Sequence, residues 1–324
     1  MKWRIILLFG VVLLGTAAAQ TQRVRMGYLT VLPMGLGLIA QDRGFYKEGN
    51  LEVELIPFND LQPLMTALAA GQLEAAQTGF PASYVWAARG APIKVIAKAA
   101  HPDILILARE DSGITDPEML RGRNLGTPPV GSTPEVLFKG KVLPQYRLRP
   151  SDLNLLPSPP PTLVGGLATK RFDAAVFPQP WATIAELSLP VRRVLDFGKV
   201  WNNQVGSVLA VNQPWLQRSR PQALALIRAQ RKAAEFIRSN PADAARILAA
   251  TFIPRPVDTP RGPVPGPEVM ARALKEMIFD WRIGRSDLAA MAELMATLHR
   301  LEYAPKGVTL AQLLDTTLLL EAGQ

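Results

Sequence analysis

The sequence predicts an α/β protein built from two related lobes. Three observations carry this expectation. Short strand patterns alternate with helix patterns over residues 23–108. A helix-turn-strand segment recurs 99 residues downstream, and the 324 residues exceed the ~100–200 typical of one domain. Strands alternating with helices favour parallel β-α-β units whose sheets are covered on both faces.

Taken in order, residues 24–29 read as a strand, 34–43 as a helix stopped near Gly44, and 53–58 as a second strand. Leu61, Leu64, Met65 and Leu68 then recur at helical spacing, with Gly71 placed for a left-handed cap. Residues 73–78 form a third strand and 81–89 a helix ended by Gly90, before two apolar strands at 93–99 and 104–108.

Leu68-Ala69-Ala70-Gly71-Gln72-Leu73-Glu74-Ala75-Ala76 is answered by Leu167-Ala168-Thr169-Lys170-Arg171-Phe172-Asp173-Ala174-Ala175. The same displacement carries Gly27 onto Gly126, while Pro57 finds its counterpart one residue late at Pro157. Two matches at one displacement point to duplication. The second unit has strands at 124–127, 153–156 and 172–177, with helices after Thr133, Pro161 and Gln179. A further strand at 207–211 precedes a largely helical tail, interrupted by a proline-rich loop over 254–267. Having no strands of its own, that tail is expected to pack on the first lobe. The chain then crosses twice, near Ala108 and near Gly206, dividing it into lobe I (20–108 plus 206–324) and lobe II (109–205).

Lys2 and Arg4 precede an apolar run over 5–14, and Ala17-Ala18-Ala19 supplies a small-residue cleavage pattern, so residues 1–19 read as a secretory signal peptide. The run is well short of the ~20 residues needed to span a bilayer. With no cysteine, lipidation of an N-terminal cysteine, disulfides and zinc-thiolate sites are excluded. A free periplasmic protein is the expectation. Composition, 48% hydrophobic and 19% charged, is that of a folded chain. The net charge of +9 is dispersed: basic residues do not cluster beyond pairs such as Arg192-Arg193, and no nucleic-acid motif appears.

The string Gly35-Leu36-Gly37-Leu38-Ile39-Ala40-Gln41-Asp42-Arg43-Gly44-Phe45-Tyr46-Lys47-Glu48-Gly49, followed by Leu51-Glu52-Val53-Glu54-Leu55, resembles the first helix and second strand of nitrate/sulfonate/taurine-type solute-binding proteins of ABC importers. Leu120-Arg121-Gly122-Arg123-Asn124-Leu125-Gly126, Gly131-Ser132-Thr133 and the segment 234–245 around Asn240-Pro241 fit the same ordered pattern. The resemblance implies a type II periplasmic-binding fold: two α/β lobes, a ligand cleft between them and two interlobe crossings. It also implies capture of a small-molecule ligand by a monomer, delivery to a membrane permease driven by a separate ATPase, and no cofactor. Nitrate, bicarbonate, alkyl sulfonates, taurine, aromatic acids, and thiamine or riboflavin precursors all fall within it. An anionic solute is expected from helix N-termini, Ser/Thr loops and net positive charge.

In open α/β sheets ligands bind beyond the carboxyl ends of the strands. Four loops qualify, after Leu29, Thr78, Thr127 and Phe177. Gly131, Ser132 and Thr133 lead as polar contacts, although a hydroxyl before a helix is more often a cap. Thr78, Gly79 and Phe80 occupy the matching place in the first lobe, and Phe80 maps onto Gln179. Phe80 and Trp181 are placed to close on the apolar part of a ligand, against core packing as the plainer role. Thr30 and Met34 lie on the first strand-to-helix turn and join the set. Asn59 and Asp60 are assigned to capping, and Trp201-Asn202-Asn203 either overhangs the cleft or forms a turn.

Catalysis finds little in the chain. Its two histidines, His101 and His299, lack a ligand-spaced partner, and neither a nucleophile elbow nor a phosphate-binding loop occurs. Pyrimidine-precursor synthases of this fold, a distant resemblance, depend on histidine and cysteine chemistry mostly missing here. A sensory ligand-binding domain is the second rival; it would need a helix-turn-helix or a spanning segment to pass on its signal.

Overall fold

The computed structural model describes residues 22–101, 103–201, 205–305 and 307–323. The expected leader with its Ala17-Ala18-Ala19 site, and Asn202-Asn203, lie outside them. The chain forms two mixed sheets with helices on their faces. The first holds β1 (Gln22–Leu29), β2 (Leu51–Phe58), β3 (Ala75–Gly79) and β4 (Ile93–His101). The second holds β5 (Ile104–Arg109), β6 (Asn124–Thr127), β7 (Asn154–Pro157), β8 (Ala174–Pro178) and β9 (Val191–Asp196). The chain then returns to the first sheet with β10 (Ser207–Asn212) and β11 (Ile278–Phe279).

Strand orders are β11-β4-β10-β3-β1-β2 and β7-β6-β8-β5-β9. The two sheets follow one plan. In each, the first strand of the parallel set (β1, β6) lies between its two parallel partners, and an antiparallel strand (β10, β5) follows on one side. Packing repeats at the sequence displacement. A Cβ on Gly27 would lie 2.4 Å from Leu64 Cδ1 and 2.7 Å from Leu73 Cδ1; one on Gly126 would lie 2.7 Å from Phe172 Cδ2 and 3.0 Å from Leu163 Cδ2. Leu64 and Leu73 correspond to Leu163 and Phe172, so the same glycine seats the same helix and strand-entry residue on each sheet.

Two expectations need correction. The sheets are mixed rather than parallel, because each receives one central antiparallel strand from across the molecule. In addition, β5 pairs with β8 and β9, so the first crossing lies at Asp103, between β4 and β5, ahead of Ala108. An apolar run has the same periodicity whichever sheet it joins. The chain rejoins the first sheet at Ser207, just after Gly206. Strand β9 escaped the sequence because it is an edge strand carrying exposed Arg192 and Arg193, the charged marking that protects a sheet edge.

The tail packs chiefly on the first sheet's side. Helix Arg220–Ser239 lies on helix Leu36–Asp42, and Arg285–Arg300 on Phe80–Ala88. It also reaches the second lobe, where Tyr303 donates to Glu135 Oε1 at 2.5 Å and Lys139 donates to the Tyr303 hydroxyl at 2.9 Å.

Candidate functional site

Both sheets end on one cavity of about 70 Å³, roughly the room of five to seven waters at the 10–15 Å³ each needs. Leu29, Thr30, Met34, Asn59 and Gly79 line it from the first lobe. Pro128, Pro129, Ser132, Thr133 and Pro160 line it from the second, and the two crossings contribute Asp103, Ile104, Gly206 and Ser207. The arrangement follows from strand direction: β1, β3, β6 and β8 all release their carboxyl ends here.

The walls are tied across the lobes. Leu32 N–H donates to Gln179 O (2.9 Å), and Trp181 Nε1 to Thr30 O (3.2 Å). Gly206 O accepts from Phe80 N–H (3.2 Å) and from Thr133 Oγ1 (3.1 Å), so both lobes meet on the second crossing. Gly79 permits this approach: a Cβ there would stand 2.6 Å from Thr133 Oγ1.

Of the residues singled out from sequence, Thr30, Met34, Gly79, Ser132 and Thr133 meet at the cavity. Ser132 is an N-cap by backbone, yet its side chain makes no capping bond, and its Oγ is buried with no partner among the described residues. Gly131 takes a left-handed φ of +82° and gives its N–H to Glu135 Oε2 (3.0 Å), which shapes the loop from outside the lining. Thr78 is fully buried, with its hydroxyl toward Met65 Sδ (3.5 Å).

Phe80, Gln179 and Trp181 stand elsewhere than expected. Phe80 is 0% exposed and stacks on Tyr84 in the core, because the displacement maps backbone and does not fix the direction of a side chain. Gln179 is buried, with its amide engaged inside the protein: Nε2 donates to Asp103 Oδ2 (2.9 Å), and Oε1 accepts from Thr183 Oγ1 (2.8 Å) and Thr183 N (3.3 Å). Trp181 packs between the lobes and is a tie rather than a wall. Asp60 caps its helix through Gln62 N–H (3.0 Å), whereas Asn59, assigned to capping, lines the cavity.

Sequence reasoning missed Asp103. Among the described lining residues it is the only charged one, and it accepts a hydrogen bond from Gln179. Burial pushes its carboxyl up to about 6, against the Gln179 hydrogen bond; Asp196 and Glu276 add to the rise and Arg193 opposes it. A carboxylate set between two apolar runs was the available signal. His101, two residues earlier, is turned to Lys98 Nζ (3.2 Å), and burial with that neighbouring charge holds it below the usual histidine range. His299 bonds the Tyr84 hydroxyl (3.0 Å) and does not line the cavity.

The alkanesulfonate-binding protein SsuA of Xanthomonas axonopodis pv. citri, solved with MOPS, superposes with a TM-score of 0.78 at 18% identity, over 92% of this chain and 100% of that one. The desulfurization enzyme DSZB superposes with a TM-score of 0.68 at 16% identity, over 93% and 98%, so a binding protein and an enzyme share this architecture. In sequence, the nitrate import ATP-binding protein NrtC of Synechocystis is 23% identical over 232 residues, 65% of this chain. The match spans 34% of that relative's own length. The profile described as NMT1/THI5 like matches residues 35–244, about two thirds of the chain. With its two-lobed α/β fold and interlobe cavity, the chain belongs to the NMT1/THI5-like family.

Proposed function

We propose that this protein is the substrate-binding component of an ABC importer: exported to the periplasm, monomeric, and acting by closing two lobes on a small solute that it hands to a membrane permease and its ATPase. Lobe I comprises residues 22–101 with 205–323, and lobe II residues 104–201. The observation that carries this reading is a cavity lined from both lobes and both crossings, with a buried hydroxyl inside it that has no partner among the described residues. A ligand touching both walls favours the closed arrangement by its differential contacts, which is what a capture protein requires.

Binding without chemistry is supported by the lining, where among the described residues no histidine, lysine or arginine stands beside the Ser132 hydroxyl to activate it. The test is a thermal-shift screen of small solutes, followed by mass spectrometry of what is recovered from the protein. A ligand at 100 times its Kd should add about 2.7 kcal/mol of stability and come back chemically unchanged. Recovery of a transformed product would assign the chain to enzymes of this architecture instead.

A further inference from the structure

Sulfonate and nitrate, after which the relatives above are named, are anions, but this cavity is poorly made for one. An anion needs N–H or O–H donors or cationic side chains; among the described lining residues there is no lysine, arginine or histidine, which leaves the Thr30 and Ser132 hydroxyls and the Asn59 amide as neutral side-chain donors. Backbone donors are scarce as well. Six lining residues are prolines, which have no N–H, and prolines fill the first turns of the helices that start at Leu32, Phe80, Thr133 and Pro160. The N–H groups of Leu32 and Phe80, at two of those starts, are already given to Gln179 O and Gly206 O.

What the cavity does offer is one carboxylate acceptor, among neutral groups that both accept and donate. Asp103 presents a carboxylate held at one oxygen by Gln179, and the Ser132 hydroxyl, without a partner among the described residues, can accept or donate. Around them, Thr30 and Asn59 apart, the walls are largely apolar: Leu29, Met34, Ile104 and the prolines. Resting on the solute-binding reading, we infer that the ligand is a small, largely apolar molecule whose polar end donates hydrogen bonds, cationic or neutral at nitrogen, and that Asp103 is the specificity residue that receives it. Gln179 positions Asp103, with Thr183 holding the far end of the amide.

The experiment uses the exported protein and three pools of small aliphatic and aromatic compounds, bearing ammonium or amidinium, neutral amide or alcohol, and carboxylate or sulfonate head groups. Thermal shifts are expected from the first pool, or from the N–H donors of the second. Shifts confined to the acidic pool would overturn the inference and leave the solute-binding reading standing; no shift from any pool would overturn that reading itself. For a cationic binder, Asp103→Asn should weaken affinity by about tenfold or more in calorimetry at pH 7.5, as loss of a charge-assisted hydrogen bond does. Unchanged affinity would remove Asp103 from the site. If that variant fails to fold, wild-type affinity for the cation supplies the test: it should hold from pH 8 to 6.5 and decline below about 6 as Asp103 protonates among Gln179, Arg193, Asp196 and Glu276. Affinity that rises on acidification would sink the proposal.

Discussion

The Ser132 hydroxyl makes no hydrogen bond to another described residue, and the cavity it lines has room for water to reach it, so no bond within the protein depends on it. Ser132→Ala should therefore leave the ligand-free protein as stable as before, while affinity drops by roughly two- to tenfold. Denaturant titration and calorimetry measure the two effects separately. Thr133→Ala should behave differently, since its hydroxyl bonds Gly206 O, and should cost about 1 kcal/mol of stability. Asp103 gives a pH signature. Its folded-state value of about 6 lies above the ~3.9 of an unfolded chain, so between these values the folded form holds more protons. Its contribution to stability is thus full below pH 4 and lost as pH rises to about 6. Carboxylates with depressed values, such as Glu74, slope the other way, so the measurement is the difference between wild type and Asp103→Asn at pH 4.5 and 7. A Gly-Ser-Thr-Pro turn before a helix made Ser132 legible in the sequence. Asp103 was not legible, because its meaning depends on a crossing that apolar periodicity does not locate.

The duplicated elements carry their own test. Gly27 and Gly126 face equivalent leucine and strand-entry side chains, at distances where a methyl group does not fit without shifting Leu64 or Phe172. Gly27→Ala and Gly126→Ala should each destabilise by about 1–3 kcal/mol through overpacking, read from the denaturation midpoint. Phe172 is a stiff ring with fewer rotamers than Leu73, so Gly126→Ala should be the worse of the two. The parallel strands and most helices were legible because turn glycines and apolar spacing mark them locally. The antiparallel setting of β5 and β10 was not, since a run such as 104–108 reads alike in either direction and only its distant partners orient it. Edge strand β9 was lost for a related reason: its charges obscure the alternation.

At the scale of the molecule, the lobes meet through a few directional bonds above the cavity, among them Trp181 Nε1 to Thr30 O. Trp181→Phe keeps the aromatic packing and removes that bond, so it should weaken every ligand by a similar two- to tenfold, mainly through faster release. Small-angle scattering should show a smaller radius of gyration with saturating ligand than without; an unchanged radius would argue against hinge closure. One further consequence lies in the route of the chain. Strand β10 sits between β3 and β4, so the first sheet lacks its middle until Ser207–Asn212 has been delivered. The second sheet, by contrast, comes from the single stretch from Ile104 to Asp196, complete before that point. Chain threaded out from its N-terminus would therefore assemble the later lobe first. The earlier one would wait half-built, its unpaired β3 and β4 edges open to chaperones or to misassembly until the last crossing strand is inserted.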